Sequence, residues 1–323
     1  MADVVTEDLG HRPQARDHGL VLGTTLAAWR LEALIGHGGC GSVYRGRHVL
    51  LDRLAAVKVL HADLADDPAM VTRFVREAQA INRIRHPSIV EVFDVGVAGR
   101  HPYLVMELLA EHDLAQRLDA DGRLTLPECL AILRPLGAAL DAVHRAGFVH
   151  RDVKARNVGF ARGPAGEVVK LLDFGIAKLL DGDGGPGSSA TMRIGTPHCI
   201  APEQIRGQGV DARTDVYALG VLLYHLATGV YPFDADDSSE VERMHLDAPP
   251  PAPSDLAPAL AVIDPLVATA MAKDRAARPA SAGAFVAQLA LAIAPARLSH
   301  RRGYRWRAPA TRAGAGDRLR QAR

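Results

Sequence analysis

In the stretch FVHRDVKARN, residues 148–157, an apolar pair is followed by His150, Arg151, Asp152, Lys154, Arg156 and Asn157. Such crowding suits an exposed loop or helix face, and it equally suits a site that handles charged oxygen. Elsewhere, IGHGGCGSVYRG spaces Gly36, Gly38 and Gly41 as G-x-G-x-x-G, with Gly39 between them. Alone, that spacing is weak, and a tight hairpin satisfies it. A dinucleotide fold needs the glycines between a strand and a helix, whereas residues 42–45 read as another strand. A glycine hairpin between strands lets backbone N–H groups approach an anion, because no side chains intervene. Lys58 stands in AAVKVL with apolar neighbours on both sides. A lysine buried there needs a counter-charge, and on an edge strand it would instead reach out to water. Glu77, on the helical face shared by Phe74 and Ile81, is the candidate partner.

The elements that must position these residues fall into two groups. After residues 1–27, a polar leader expected to be flexible, WRLEALIG, SVYRGRHV and LAAVKVL read as strands, the middle one by its alternation. Asp67 and Pro68 then open a helix as N-cap and first residue. Its apolar stripe is Val71, Phe74, Val75, Ala78, Ile81 and Ile84, and His86-Pro87 closes it. IVEVFDVG and PYLVMELL follow as strands. From Leu114 onward helical patterns dominate, among them LPECLAILRPLGAALDAVHRAG and DVYALGVLLYHLATG, the latter stopped by Gly229. DGDGGPGSS reads as a loop and APPPAPS as a connector. The shift in character near residue 109 predicts a strand-rich lobe over 28–108 and a helical lobe over 109–293, followed by a tail over 294–323.

In this order the motifs resemble one family. His150-Arg151-Asp152, Lys154 and Asn157 are similar to a protein-kinase catalytic loop, Asp173-Phe174-Gly175 to the metal-binding motif, and Ala201-Pro202-Glu203 to the end of the activation segment. HRDVK, DFGIAK, GTPHCIAPEQ and DVYALG resemble the bacterial, eukaryotic-like (Hanks-type) Ser/Thr protein kinases over roughly residues 29–292. The resemblance implies an α+β, two-lobed kinase fold with a small β-rich N-lobe carrying one main helix and a larger helical C-lobe. It implies ATP and Mg²⁺ as cofactors, with Mn²⁺ as an alternative ion. Lys58 would hold the α- and β-phosphates and be held by Glu77. Asp152 would accept the substrate hydroxyl proton, Lys154 would steady the γ-phosphate, and Asn157 and Asp173 would bind the metal. Ile35, Gly36, Gly38, Gly39, Gly41, Val43, Ala56, Met106 (the gatekeeper), Glu107 and Leu109 would line the nucleotide site. Ile81, Phe174 and His150 would stack between the lobes. Asp215 would anchor the catalytic loop, Glu203 and Arg278 would form a buried pair, and Thr196 would mark Ser/Thr over Tyr specificity, as Lys154 does.

Regulation and departures from the family pattern follow. Arg151 before the aspartate implies activation-loop phosphorylation, with Thr191, Ser189 and Ser188 as candidate sites and self-association for autophosphorylation. A Ser/Gly linker with incidental hydroxyls is the plainer alternative. Gly159 stands where a large apolar residue usually floors the adenine, which predicts lost contact area. Ala155 replaces a common proline, Cys199 a common tyrosine, and His225 a common glutamate, which weakens the case for basic substrate peptides.

Composition bounds the rest. The chain has 323 residues, 48% hydrophobic, and a net charge of +1. Residues 295–323 hold nine arginines against Asp317, a charge of +8 that leaves −7 for the remainder. A disordered tail is the simpler expectation; Tyr304 and Trp306 among the arginines also suit contact with nucleic acid or an anionic membrane. Cys40, Cys129 and Cys199 show no disulfide or zinc spacing. No apolar leader and no long apolar run occur, so the expectation is a cytoplasmic protein kinase acting on Ser/Thr-bearing proteins. The rival readings are a pseudokinase scaffold and a small-molecule phosphotransferase on the same fold.

Overall fold

The computed structural model describes residues 20–38, 40–109, 112–163, 166–173 and 197–299, apart from the side chains of Arg73, Glu77, Ala80 and residues 295–299. Gly39, Phe174, Gly175, Ser188, Ser189, Thr191, Thr196, the Glu77 side chain and the tail beyond residue 299 therefore lie outside the described residues.

Strands β1 (Thr25–Leu26), β2 (Trp29–His37), β3 (Gly41–His48), β4 (Leu54–Leu60), β5 (Val92–Ala98) and β6 (His101–Met106) form an antiparallel sheet in the order β1-β2-β3-β4-β6-β5. β1 falls within the stretch expected to be a leader, because Leu26 is buried beside Trp29 and Leu31. Alternation along β4 divides its side chains. Ala55, Val57 and Val59 join Trp29, Leu31, Tyr44 and Val105 on one face. Ala56 and Lys58 turn to the other, and Leu60 packs with Leu64, Met70, Phe74 and Ala78 from helices α1 (Ala62–Ala65) and α2 (Pro68–Arg83).

Asp67 caps α2 by accepting from the Ala69 N–H, as its position before Pro68 predicts. Phe74, Ala78, Ile81 and Ile84 are buried, while Val71 and Val75 are half-buried. The strand expected from Ile89 starts three residues later. Ile89 instead bridges to Leu171, and the Val90 N–H donates to the Leu171 carbonyl, so this backbone is committed to the other lobe.

The second lobe contains helices α3 (Leu114–Asp121) and α4 (Leu126–Arg145), the hairpin β7 (Val158–Gly163) and β8 (Gly166–Leu171), and helices α5 (Pro202–Ile205), α6 (Ala212–Thr228), α7 (Ser238–Asp247), α8 (Pro253–Leu256), α9 (Asp264–Ala270) and α10 (Ala282–Ser299). Helix α6 is apolar nearly all round and buried along most of its length, which makes it the lobe's axis. Gly229 ends it with φ of +84° and donates to the His225 carbonyl, the left-handed cap expected of that glycine. α10 runs past residue 293, the expected domain end. The fold is α+β with two lobes.

Candidate active site

The glycine turn joins β2 to β3. The Gly38 N–H donates to the Gly41 carbonyl at 2.9 Å, and a Cβ on Gly41 would collide with the Val59 carbonyl, so the close approach of β3 and β4 requires glycine. His61, buried at the end of β4, grips the turn twice. Its backbone N–H donates to Cys40 O (2.9 Å) and its Nε2–H to Gly38 O (2.7 Å).

Across the cleft-side face of the sheet, Val43 lies opposite Lys58 and Ala56 opposite Met106. Ala56, Val90 and Met106 form a small apolar cluster with Val43, Leu108 and Leu172 packed on it. Three of these are expected nucleotide-site residues; Val90, Leu108 and Leu172 are additions that only the tertiary contact reveals. Ile35 is half exposed. The Glu107 N–H donates to Glu91 O at 2.9 Å, and its carboxylate pairs with Lys170 at 2.7 Å. A Cβ on Gly159 would lie 2.5 Å from Leu109 Cδ1 and 3.3 Å from Leu172 Cδ1. The space that a side chain at position 159 would fill is thus taken by two leucines.

Lys58 is buried, and its Nζ donates to Asp173 Oδ1 at 2.6 Å. The Glu77 side chain, its expected partner, is outside the described residues. Asp173 has φ of +37° and Arg151 φ of +65°, uncommon for residues with a Cβ. Such backbone persists where surroundings over-determine it. From the first turn of α6, Asp215 accepts the N–H groups of His150 (2.9 Å) and Arg151 (2.8 Å), and His144 Nε2 from the last turn of α4 meets the same carboxylate at 2.7 Å. His144 was not foreseen, since nothing in its own neighbourhood marks it. His150 is fully buried. Burial holds its imidazole below the usual range, outweighing the nearby carboxylates. The neutral ring is what its contacts need: Nε2–H donates to Leu172 O at 2.9 Å while Nδ1 accepts from the Asp152 N–H at 3.3 Å.

Asn157, at the end of a 3₁₀ turn (Ala155–Asn157), donates through Nδ2 to both the carbonyl and the Oδ2 of Asp152, each at 2.8 Å. Lys154 Nζ reaches the same Oδ2 at 2.8 Å. The acid, the amide and the lysine therefore form one hydrogen-bonded unit. Further down, Arg278 forks onto Glu203 at 2.8 and 2.9 Å in a buried pair, and Thr214 donates to Glu203 Oε1 at 2.7 Å. Burial alone would raise the Glu203 carboxyl, but the Arg278 bonds outweigh it and hold the pKa below the usual value. Cys199 packs on the helical core. The His225 ring lies against Tyr231 (3.9 Å between centroids), which stacks on His198 at 4.1 Å. Burial and His198 push the His225 pKa down to about 4, so this position carries no charge near neutrality.

The protein kinase domain profile matches residues 29–283. The chain belongs to the protein kinase domain family. It is 41% identical over 276 residues to the serine/threonine-protein kinase pkn3 of Myxococcus xanthus, covering 83% of this chain and 50% of that protein. Serine/threonine-protein kinase PknL of Mycobacterium tuberculosis is 40% identical, with 80% of this chain and 64% of PknL covered. This kinase-family chain thus spans about half the length of pkn3. Among solved structures, the PknI kinase domain of Mycobacterium tuberculosis matches with a TM-score of 0.68 and 30% identity, covering 84% of this chain and 99% of that one. No helix among the described residues is long and apolar enough to cross a membrane.

Proposed function

We propose that this chain is an ATP-dependent protein serine/threonine kinase. One observation carries the reading. The Lys58–Asp173 ion pair and the Asp152–Asn157–Lys154 unit come from distant parts of the sequence, yet His150, bonded to the backbone of Leu172, joins them into a single cleft beside the apolar slot. Phosphoryl transfer needs positioning and charge neutralisation more than covalent work from the protein.

In the proposed reaction the slot of Val43, Ala56, Met106, Leu108 and Leu172 takes the adenine, with Ile35 above it and the backbone of Glu107 and Leu109 at its edge. The glycine turn (Gly36, Gly38, Gly39, Gly41) covers the phosphates, and Lys58, steadied by Glu77, holds the α- and β-phosphates. A hard divalent cation suits the donors present. Asn157 commits its NH₂ to Asp152, which leaves its amide oxygen as the ligand, and Asp173 supplies a carboxylate. Mg²⁺, or Mn²⁺ in its place, would neutralise triphosphate charge there. Asp152 accepts the proton of a Ser or Thr hydroxyl as that oxygen bonds to the γ-phosphorus and the bond to the β-phosphate oxygen breaks, while Lys154 balances charge on the transferred group.

Thr191, Ser189 and Ser188 are the proposed autophosphorylation sites, met through transient self-association, and Thr196 shapes the acceptor platform. Residues 28–293 form the proposed kinase domain, and a cytoplasmic location suits it. For the basic tail, a plain terminal segment is favoured over contact with nucleic acid or an anionic membrane, and deletion of residues 295–323 that changes such association would reverse that preference. Incubation with radiolabelled ATP, Mg²⁺ and a generic protein substrate tests the function. Label on protein, lost by a factor of about 10² or more in Asp152→Asn, is expected. Nucleotide binding without transfer would favour a scaffold, and label on small molecules alone would favour a small-molecule phosphotransferase.

A further inference from the structure

We propose that Gln204 is a positioning residue for the transfer reaction, acting through the peptide group that links Arg151 to Asp152. The inference rests on the reading of Asp152 as the base. Arg151 has φ of +65°, a conformation a non-glycine residue keeps only under outside constraint. Its N–H is fixed by Asp215 Oδ1 at 2.8 Å. Its carbonyl, which belongs to the same peptide plane as the Asp152 nitrogen, accepts from Gln204 Nε2 at 3.0 Å. The orientation of that plane decides where the Asp152 side chain departs from the backbone. On the plane's other side the Asp152 N–H meets His150 Nδ1 only at 3.3 Å, long for such a bond. Gln204 is therefore the shorter of these two restraints.

Gln204 is itself held. Its Oε1 accepts the Ala201 N–H at 3.1 Å, and Ala201 is fully buried. Both ends of the amide are in use, one on the start of α5 and the other on the catalytic loop. A role confined to capping α5 would need only the oxygen, and a glutamate would fill it as well. The nitrogen is what reaches Arg151, and only a donor fits there, because a carboxylate would face the carbonyl oxygen with like partial charge. Reaction rates respond steeply to displacement of a positioned group; roughly 1 Å costs about a hundredfold.

Gln204→Glu separates the two roles, since it keeps the cap and removes the donor. We expect kcat to fall at least about tenfold, with the KM for ATP unchanged in a variant that still folds. If Gln204→Glu unfolds, Gln204→Met, which keeps the length without placing charge against the carbonyl, is judged by the same kcat criterion. A kcat within about twofold of wild type in the folded variant overturns the inference, as does an equal rise in the KM for ATP without loss of kcat. Wild-type enzyme is assayed alongside. An inactive wild type would overturn the kinase reading and this inference with it, whereas an active wild type matched by the variant overturns the inference alone.

Discussion

Leu109 and Gly159 illustrate how single residues trade places. The floor that a large side chain at position 159 would provide is occupied by the far end of Leu109, together with Leu172. Leu109→Ala should therefore raise the KM for ATP several-fold, because it empties the space that Gly159 leaves. Gly159→Ala should cost less than about 1 kcal/mol in stability, since the atom its Cβ meets is a movable leucine methyl. Nucleotide titration and urea unfolding of the two variants check both statements. The residues proposed to do chemistry stood out in the sequence because their types and spacing are distinctive: Asp152 stands two residues before Lys154 and five before Asn157, and a lysine flanked by Ala56, Val57 and Val59 demands a counter-charge. Val90, Leu108, Leu172, Gln204 and His144 were not legible, because packing or hydrogen bonding in three dimensions gives each its place and local pattern says nothing of it.

Among elements, the link between α5, α6 and the segment before α10 depends on Glu203 and Arg278. Removing one partner strands the other, so Arg278→Met should lower stability by about 3–5 kcal/mol, measured by chemical denaturation. Around α7, His245 is fully buried, with Nδ1 at 2.8 Å from the Tyr217 hydroxyl of α6, the Phe233 ring edge-on, and Lys273 donating to its carbonyl. Burial, aided by the Lys273 charge, pushes its pKa down to about 3. The unfolded chain therefore takes up this proton first. The histidine's contribution is complete above about pH 6.5 and is lost as pH falls toward 3, amounting to about 2 kcal/mol at pH 5. Unfolding in urea at pH 7 and pH 5 should show that loss, and His245→Gln should flatten it. The types and order of β2 to β6, α2, α4 and α6 were readable from periodicity, from the Asp67 cap and from the Gly229 stop, whereas β1 and the β7–β8 hairpin were not. Element edges were less so: β5 starts late because Ile89 and Val90 bond to β8, a partner about 80 residues away that no local pattern announces.

For the molecule as a whole, the division into a sheet lobe and a helical lobe was visible in the change of pattern near residue 109, since alternation and helical spacing are both local signals. How the lobes face each other was not, because it rests on a few long-range bonds, Lys58 to Asp173 and the Val90 N–H to the Leu171 carbonyl among them. If the cleft takes Mg²⁺ and ATP, ligand at a hundred times its dissociation constant should add about 2.7 kcal/mol to stability. Thermal melts with and without chelator check that increment.

The ammonium of Lys58 and the carboxylate of Asp173 already satisfy one another at 2.6 Å. Two opposite charges thus hold each other at the mouth of the cleft, the lysine buried and the carboxylate partly open to solvent. Proposed loading is an exchange of spouses: the lysine leaves for the triphosphate as the carboxylate accepts its metal. Triphosphate and metal ought then to arrive cooperatively, each freeing the group that the other requires, and calorimetric titration of one in the presence and absence of the other would read that interdependence directly.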